Sequence, residues 1–247
     1  MKNLIFLALV FLLACSPKVW HKAEITSSGT RINATAIDSD SMMLSMVQPY
    51  KSQTNAKMSE IIGENEAKLD KGKPESTLTN FLADLVQNTV ERKTGEKLDG
   101  TITNYGGVRV AYLAQGNVTL GNVYEIMPFD NMIVVLRMKG SQLKTFCDHV
   151  ALDGGWPVSK TVHFEIKDGK AEDIKLKNIS IQADSTYRIC VPDYVANGGD
   201  DCSFLKDVPR TSYNIFLRDV IIDGIKQISK EGRKIHSQKD GRLINIK

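Results

Sequence analysis

Histidine is scarce in this chain, and that scarcity narrows the chemistry first. The 247 residues hold four, His21, His149, His163 and His236, widely spaced. A pair of divalent metals needs about six to eight donors gathered within a few ångströms, and no two of these histidines stand at ligand spacing to begin such a set. His149 follows Asp148 on a stretch whose apolar side includes Cys147, and it reads as a packing or surface residue. Also absent are a Gly-x-Ser-x-Gly elbow and a phosphate-binding glycine loop, the marks of two common hydrolytic designs. There is no run of five like charges, no low-complexity tract and no repeat of fixed period. The net charge of +3 is spread over scattered lysines and arginines, whereas a nucleic-acid-binding face would show as a basic stripe. No metal site, no cofactor and no nucleic-acid partner are therefore expected of this chain.

What is present is 42% hydrophobic and 25% charged, a balance that suits one large domain with a tether. Lys2 and the apolar run from Leu4 to Leu13 are too short to span a bilayer and have the shape of a secretory signal over residues 1–14. The signal ends Leu12-Leu13-Ala14-Cys15-Ser16 and resembles that of bacterial lipoproteins, in which cleavage leaves the cysteine, here Cys15, as a lipidated N-terminus; Leu13 is bulkier than usual there. More than one acyl chain would hold the protein firmly at a membrane. The expected organisation is a signal peptide at 1–14, a polar tether at 15–38 and a domain at 39–247, exported to the cell envelope and anchored at its periplasmic or outer surface. Of the other three cysteines, Cys190 and Cys202 could pair across a glycine-rich loop, but Cys190 lies in an apolar strand pattern and Cys147 on an apolar helix face. Buried, unpaired thiols are expected.

From Ser41, the positions Met43, Val47, Tyr50, Thr54, Met58 and Ile61 recur at helical spacing, with Pro49 as a kink or break and the methionines filling core gaps. The clearest helix carries Leu78, Phe81, Leu82, Leu85, Val86 and Val90 on one face, with Ser76 or Thr77 to cap it, Gly95 beyond its end and Asp84 on its wet side. Ile133 to Met138 reads as a buried strand, followed by a helix bearing Leu143, Phe146, Cys147 and Val150. Asp168-Gly169 turns a hairpin between Val162–Lys167 and 171–176. Two more strands follow, and Tyr213, Phe216, Leu217, Val220, Ile221, Ile225 and Ile228 trace a helical stripe. The mixture is α+β.

Three loops combine ring, amide, charge and glycine. Asn104-Tyr105-Gly106-Gly107-Val108-Arg109 follows a short strand and brings an amide and a guanidinium near two flexible residues. Pro128 fixes the backbone before Phe129 in Pro128-Phe129-Asp130-Asn131. Asp193-Tyr194-Val195-Ala196-Asn197-Gly198-Gly199-Asp200-Asp201 packs a ring, two glycines and three carboxylates into nine residues. Alone, the Asn104–Arg109 loop reads equally well as an ordinary turn, the Asp193–Asp201 loop reads better as one, and the Phe129 ring could as well plug the core.

With these motifs in that order, the chain resembles the C-terminal domain of the 5'-nucleotidase family from about Asp40 to Lys247, supported by Glu75-Ser76-Thr77-Leu78-Thr79-Asn80, Lys139-Gly140-Ser141-Gln142-Leu143 and Asp240-Gly241-Arg242. The resemblance implies layered mixed sheets with helices outside, and a domain that binds the nucleoside part of a nucleotide. Phe129 and Tyr194 are similar to the two aromatics that sandwich the base, Asn104 to the amide near it, Arg109 to the cation near ribose and phosphate, and Asp200 to the acid that accepts the ribose hydroxyls. Gly106, Gly107, Asn131, Asn197, Gly198 and Gly199 shape the loops. Tyr105, Asp130 and Asp201 depart from the family by standing where glycine is usual. The family hydrolyses its substrate at a two-metal site in a separate N-terminal domain, built from Asp-x-His, Asn-His-Asp or Glu, and Gly-His-x-His segments, none of which occurs here. The chain is thus expected to be inactive alone, with a separate metallophosphoesterase subunit holding the divalent metals and the pair dephosphorylating nucleotides in catabolism or salvage. The alternative is a non-catalytic envelope lipoprotein that binds nucleosides or nucleotides, or serves as an interaction module.

Overall fold

The computed structural model describes Gly29 and residues 40–246. The signal-like stretch, Cys15 and, apart from Gly29, the tether lie outside the described residues. The chain divides into two compact units, Met1–Val47 and Gln48–Lys247, and the strands, core and candidate site all belong to the second.

A helix, α1 (Ser41–Met58), runs across the division and continues through Pro49. It corrects the sequence reading, because none of its residues is buried and Met42, Met43 and Met46 are all exposed. Its apolar residues cluster along the chain at 42, 43, 44, 46 and 47 and so spread around the helix instead of forming the one-sided stripe that marks a core face. Nor does the helix extend to Ile61, which opens a strand, β1 (Ile61–Asn65). The Glu- and Lys-rich segment beyond it also holds β2 (Leu69–Asp70).

The best-marked helix is α2 (Thr77–Thr94). Ser76 caps it through a capping box with Thr79, and Gly95 ends it at φ 73°. After β3 (Gly100–Thr101) and β4 (Tyr112–Leu113) come β5 (Gly116–Thr119) and α3 (Leu120–Ile126). Next are β6 (Met132–Lys139), α4 (Gly140–Leu152), and the hairpin β7 (Val162–Lys167) and β8 (Lys170–Leu176). The chain continues through β9 (Ile179–Ser180), β10 (Thr186–Pro192), the short α5 (Asp193–Ala196), β11 (Arg210–Phe216), α6 (Leu217–Lys230) and β12 (Leu243–Asn245). Tyr213 and Phe216 therefore lie in β11 and not in the helix; strand and helix abut without a loop, so the apolar pattern reads through the junction.

The central sheet has the order β11-β6-β10-β3, with β6 antiparallel to both neighbours and β10 parallel to β3. Both its faces are buried, which is why β6 is nearly all apolar. Val134, Leu136, Met138, Ile189 and Val191 face a core shared with α4 and the second sheet, β12-β7-β8-β9; Ile133, Val135 and Cys190 face α2 and α6. Burying these two layers of side chains, at about 25 cal/mol per Å² of apolar surface, fixes the central strands rigidly enough to set where the loops at their ends point. Cys147, Cys190 and Cys202 are buried and unpaired, as expected. Asp84 is a further correction. It accepts from both guanidinium amines of Arg242 at 3.0 and 3.1 Å, and that arginine, also held by Asp240, is only 3% exposed. An acid on an apolar helix reads as wet in the sequence because its partner lies 158 residues away.

Candidate functional site

The central sheet brings the three loops to one end. Ile133 pairs with Pro192 as the last step of the antiparallel β6–β10 ladder, so residues 129–131 enter β6 where residues 193–201 leave β10. Because β3 runs parallel to β10, with Thr101 opposite Cys190, residues 103–109 leave at that same end.

Hydrogen bonds then join loop to loop. Asp193 Oδ1 accepts from the backbone N–H of Met132 at 3.0 Å and of Tyr194 at 2.8 Å, which ties the Phe129 segment to the Tyr194 segment. The Arg109 N–H donates to the Ile126 carbonyl at 2.9 Å, tying the first loop to the turn before Phe129. Asn104, only 6% exposed, donates from Nδ2 to Asp200 Oδ2 at 2.7 Å. The Tyr194 hydroxyl donates to Asp200 Oδ1 at 3.0 Å, and this bond to a carboxylate holds the phenol above its ordinary pKa. Asp200 itself is exposed and keeps a free lone pair on each oxygen.

The glycines earn their positions by contact. A Cβ on Gly107 would stand 2.9 Å from Asn104 Oδ1, so the amide could not lie where it does. A Cβ on Gly199 would stand 2.4, 2.5 and 2.6 Å from Cζ, Cε1 and Cε2 of Tyr194; near-equal distances to these three atoms place Gly199 against the face of the ring. Gly106 belongs to the tight turn Tyr105–Gly107, and Gly198 takes φ 93°. Asn197 Oδ1 accepts from Arg210 at 3.0 Å, and the Asn131 carbonyl accepts from the Leu217 N–H at 2.8 Å.

Phe129 and Tyr194 are 41% and 45% exposed, enough for a ligand to reach either ring. Among the described residues the ring contacts join Phe146, His149, Trp156 and Phe204, and neither Phe129 nor Tyr194 takes part in one. The Arg109 guanidinium lies 5.8 Å from the Phe129 ring centre and donates to the Gly106 carbonyl at 3.3 Å.

Of the three residues expected from the sequence to depart from glycine, Tyr105 offers its ring to Lys71 at 3.9 Å and Lys73 at 4.6 Å. Asp130 is ion-paired with Arg218. Asp201 takes φ 60°, after Asp200 at φ 48°, so it adopts the left-handed backbone that a glycine would occupy without strain.

Four neighbours of the site carry no mark in the sequence. Asp193 stands there only as one acid among three. His149 donates from Nε2 to the Asp200 carbonyl at 2.8 Å and packs edge-on against Trp156 and Phe204. Lys71 reaches the Val108 carbonyl at 2.6 Å and Lys73 reaches Asp153. Burial, and then Arg109 and Lys73 nearby, lower the pKa of Lys71. No local signal points to His149 or the lysines, since folding alone brings them here. A cavity of about 530 Å³ lies beside Asp200, lined by Lys73, Tyr105, His149, Trp156 and Asp201 among others. Among the described residues no group of three or more His, Cys, Asp or Glu is placed to hold a metal ion.

Comparison with known proteins bears on the family and the fold. Protein UshA of Escherichia coli (strain K12) is 29% identical over 179 residues, covering 70% of this chain and 32% of that protein. The 5'-nucleotidase of Vibrio cholerae is 27% identical over 195 residues, covering 76% and 34%. The chain thus spans about a third of the length of these curated relatives. Among solved structures, that of a 5'-nucleotidase precursor from Thermus thermophilus shares the fold, with a TM-score of 0.71 at 23% identity over 83% of this chain and 42% of that one. A family model described as 5'-nucleotidase, C-terminal domain, matches residues 54–207, and the chain belongs to that family.

Proposed function

We propose that this chain is the nucleoside-binding half of a nucleotide-dephosphorylating system and acts with a separate metallophosphoesterase subunit. The observation that carries the reading is the hydrogen-bonded set Asn104–Asp200–Tyr194, standing at the same sheet end as Arg109 and Phe129. In this reading the base stacks between Phe129 and Tyr194, since any base offers a π face. Asp200 is steadied on one oxygen by Asn104 and on the other by Tyr194, and it accepts the ribose hydroxyls with its remaining lone pairs. Arg109 and the desolvated Lys71 supply positive charge that a phosphate would relieve.

Holding the nucleoside rigidly fixes where the phosphate projects, and such orientation can supply a large part of a rate enhancement. The divalent metals of the partner would supply activated water and charge neutralisation at phosphorus. The leader and Cys15 support an exported, lipid-anchored placement in a bacterial envelope.

The test is to mix the purified chain with a candidate metallophosphoesterase subunit and follow phosphate release from AMP. Release by the mixture well above the sum of the separate rates is expected. Equal rates with and without this chain would remove the subunit reading, and a calorimetric titration with adenosine and AMP would then decide whether a binder remains.

A further inference from the structure

Arg218 stands outside every motif of the site, yet it touches the Phe129 loop at two points. Its guanidinium donates to the Phe129 carbonyl at 3.3 Å and to the Asp130 carboxylate, while its Cζ lies over the Tyr124 ring, 4.3 Å from the ring centre. The preceding residue donates its backbone N–H to the Asn131 carbonyl at 2.8 Å. Three consecutive residues, 129 to 131, are therefore gripped by the first two residues of α6.

The placement is unfavourable for the helix itself. A cation in the first turn opposes the positive end of the helix dipole. Arg218 is also only 12% exposed, and its Nε is buried without a hydrogen-bond partner, an arrangement that costs stability. What these costs secure is the hold on the loop that carries Phe129. The anchoring carboxylate, Asp130, is the residue next to the ring, so an ion pair with Arg218 restrains the joint that carries Phe129.

We propose that Arg218 is a positioning residue, which with Asp130 holds the Phe129 ring in its stacking orientation before ligand arrives. This rests on the reading of Phe129 as one wall of the base site. An apparent affinity falls in proportion to the fraction of molecules already competent; a ring correctly placed about one-tenth of the time would bind about tenfold more weakly.

The experiment is a double-mutant cycle on the full chain, with fluorine NMR of para-fluorophenylalanine incorporated at position 129 as a ligand-free readout. Arg218→Ala is expected to shift or broaden the fluorine signal and to weaken adenosine about tenfold. It should leave ribose 5-phosphate, which has no base to stack, unchanged, and should add no further loss in a Phe129→Ala background. Asp130→Asn, at an exposed side chain that the core does not need, should act in the same direction more weakly and guards against a folding defect in the arginine variant. An unchanged fluorine signal, or an equal loss in the Phe129→Ala background, overturns the proposal. If Phe129→Ala itself leaves adenosine binding intact, the stacking reading falls, while the fluorine signal still decides whether Arg218 holds the ring.

Discussion

Gly199→Ala tests whether the Tyr194 ring is a working wall of the site or a bystander on its rim. The added Cβ would lie 2.4–2.6 Å from three ring carbons, against about 3.5 Å for an ordinary carbon contact. The ring must therefore retreat by about 1 Å along its own normal, away from Gly199 and toward the gap in which a base would stack. That movement strains or breaks the 3.0 Å bond from its hydroxyl to Asp200. The folded state loses little, because the ring is exposed and free to move; a cost of about 1 kcal/mol or less shifts the melting temperature by about 2–4 °C at most in a domain of this size. Binding loses more, since base–aromatic stacking is worth about 1–3 kcal/mol, or about five- to 150-fold in Kd. Calorimetry should show adenosine weakened at least about fivefold with the melting temperature nearly unchanged. Undiminished adenosine affinity would refute the reasoning, because it would mean that the gap in front of Tyr194 holds nothing.

Further outcomes follow from the same geometry. Asp201→Gly relieves a left-handed residue at φ 60° and should raise stability by about 0.5–1 kcal/mol, read as a higher urea midpoint; a lower midpoint would show that the carboxylate makes a stabilising contact. In a Cys15→Ser background the native protein should consume no thiol reagent at pH 8 and release three thiols on unfolding. Burial pushes Cys190 and Cys202 up to about 12 and raises Cys147 as well, and rapid native labelling would contradict this packing. Arg242→Met strands Asp84 and Asp240 and should cost about 3–5 kcal/mol at neutral pH. The Arg242 hydrogen bond holds the Asp240 carboxyl below its ordinary range. A folded-state pKa below the unfolded one gives stability that is present above the unfolded value of about 3.9 and lost as pH falls through the folded value. The gap in urea midpoint between wild type and variant should therefore narrow below about pH 4, and a constant gap would argue against the ion pair.

Much of the central architecture is legible because burial leaves a periodic trace. Ile133 to Met138, the α2 stripe with its Ser76 cap and the Asp168-Gly169 hairpin are each set by local rules. The α1 methionines mislead because helical spacing reports a helix without reporting what covers it. The short strands β1, β2, β4 and β12 escape notice because two to five residues carry no period. The motif residues Asn104, Arg109, Phe129, Tyr194 and Asp200 stand out through the order of their motifs, and the central sheet brings their loops to one end. His149, Lys71, Lys73 and Arg218 are not, because each reaches the site from an element whose local sequence has other reasons to be as it is.

The central claim is that one base fits between Phe129 and Tyr194. The most direct measurement is a set of intermolecular nuclear Overhauser effects between the base protons of bound AMP and the ring protons of these two residues. The account predicts contacts from the same base to both rings. Contacts to one ring alone, or to neither, would contradict it.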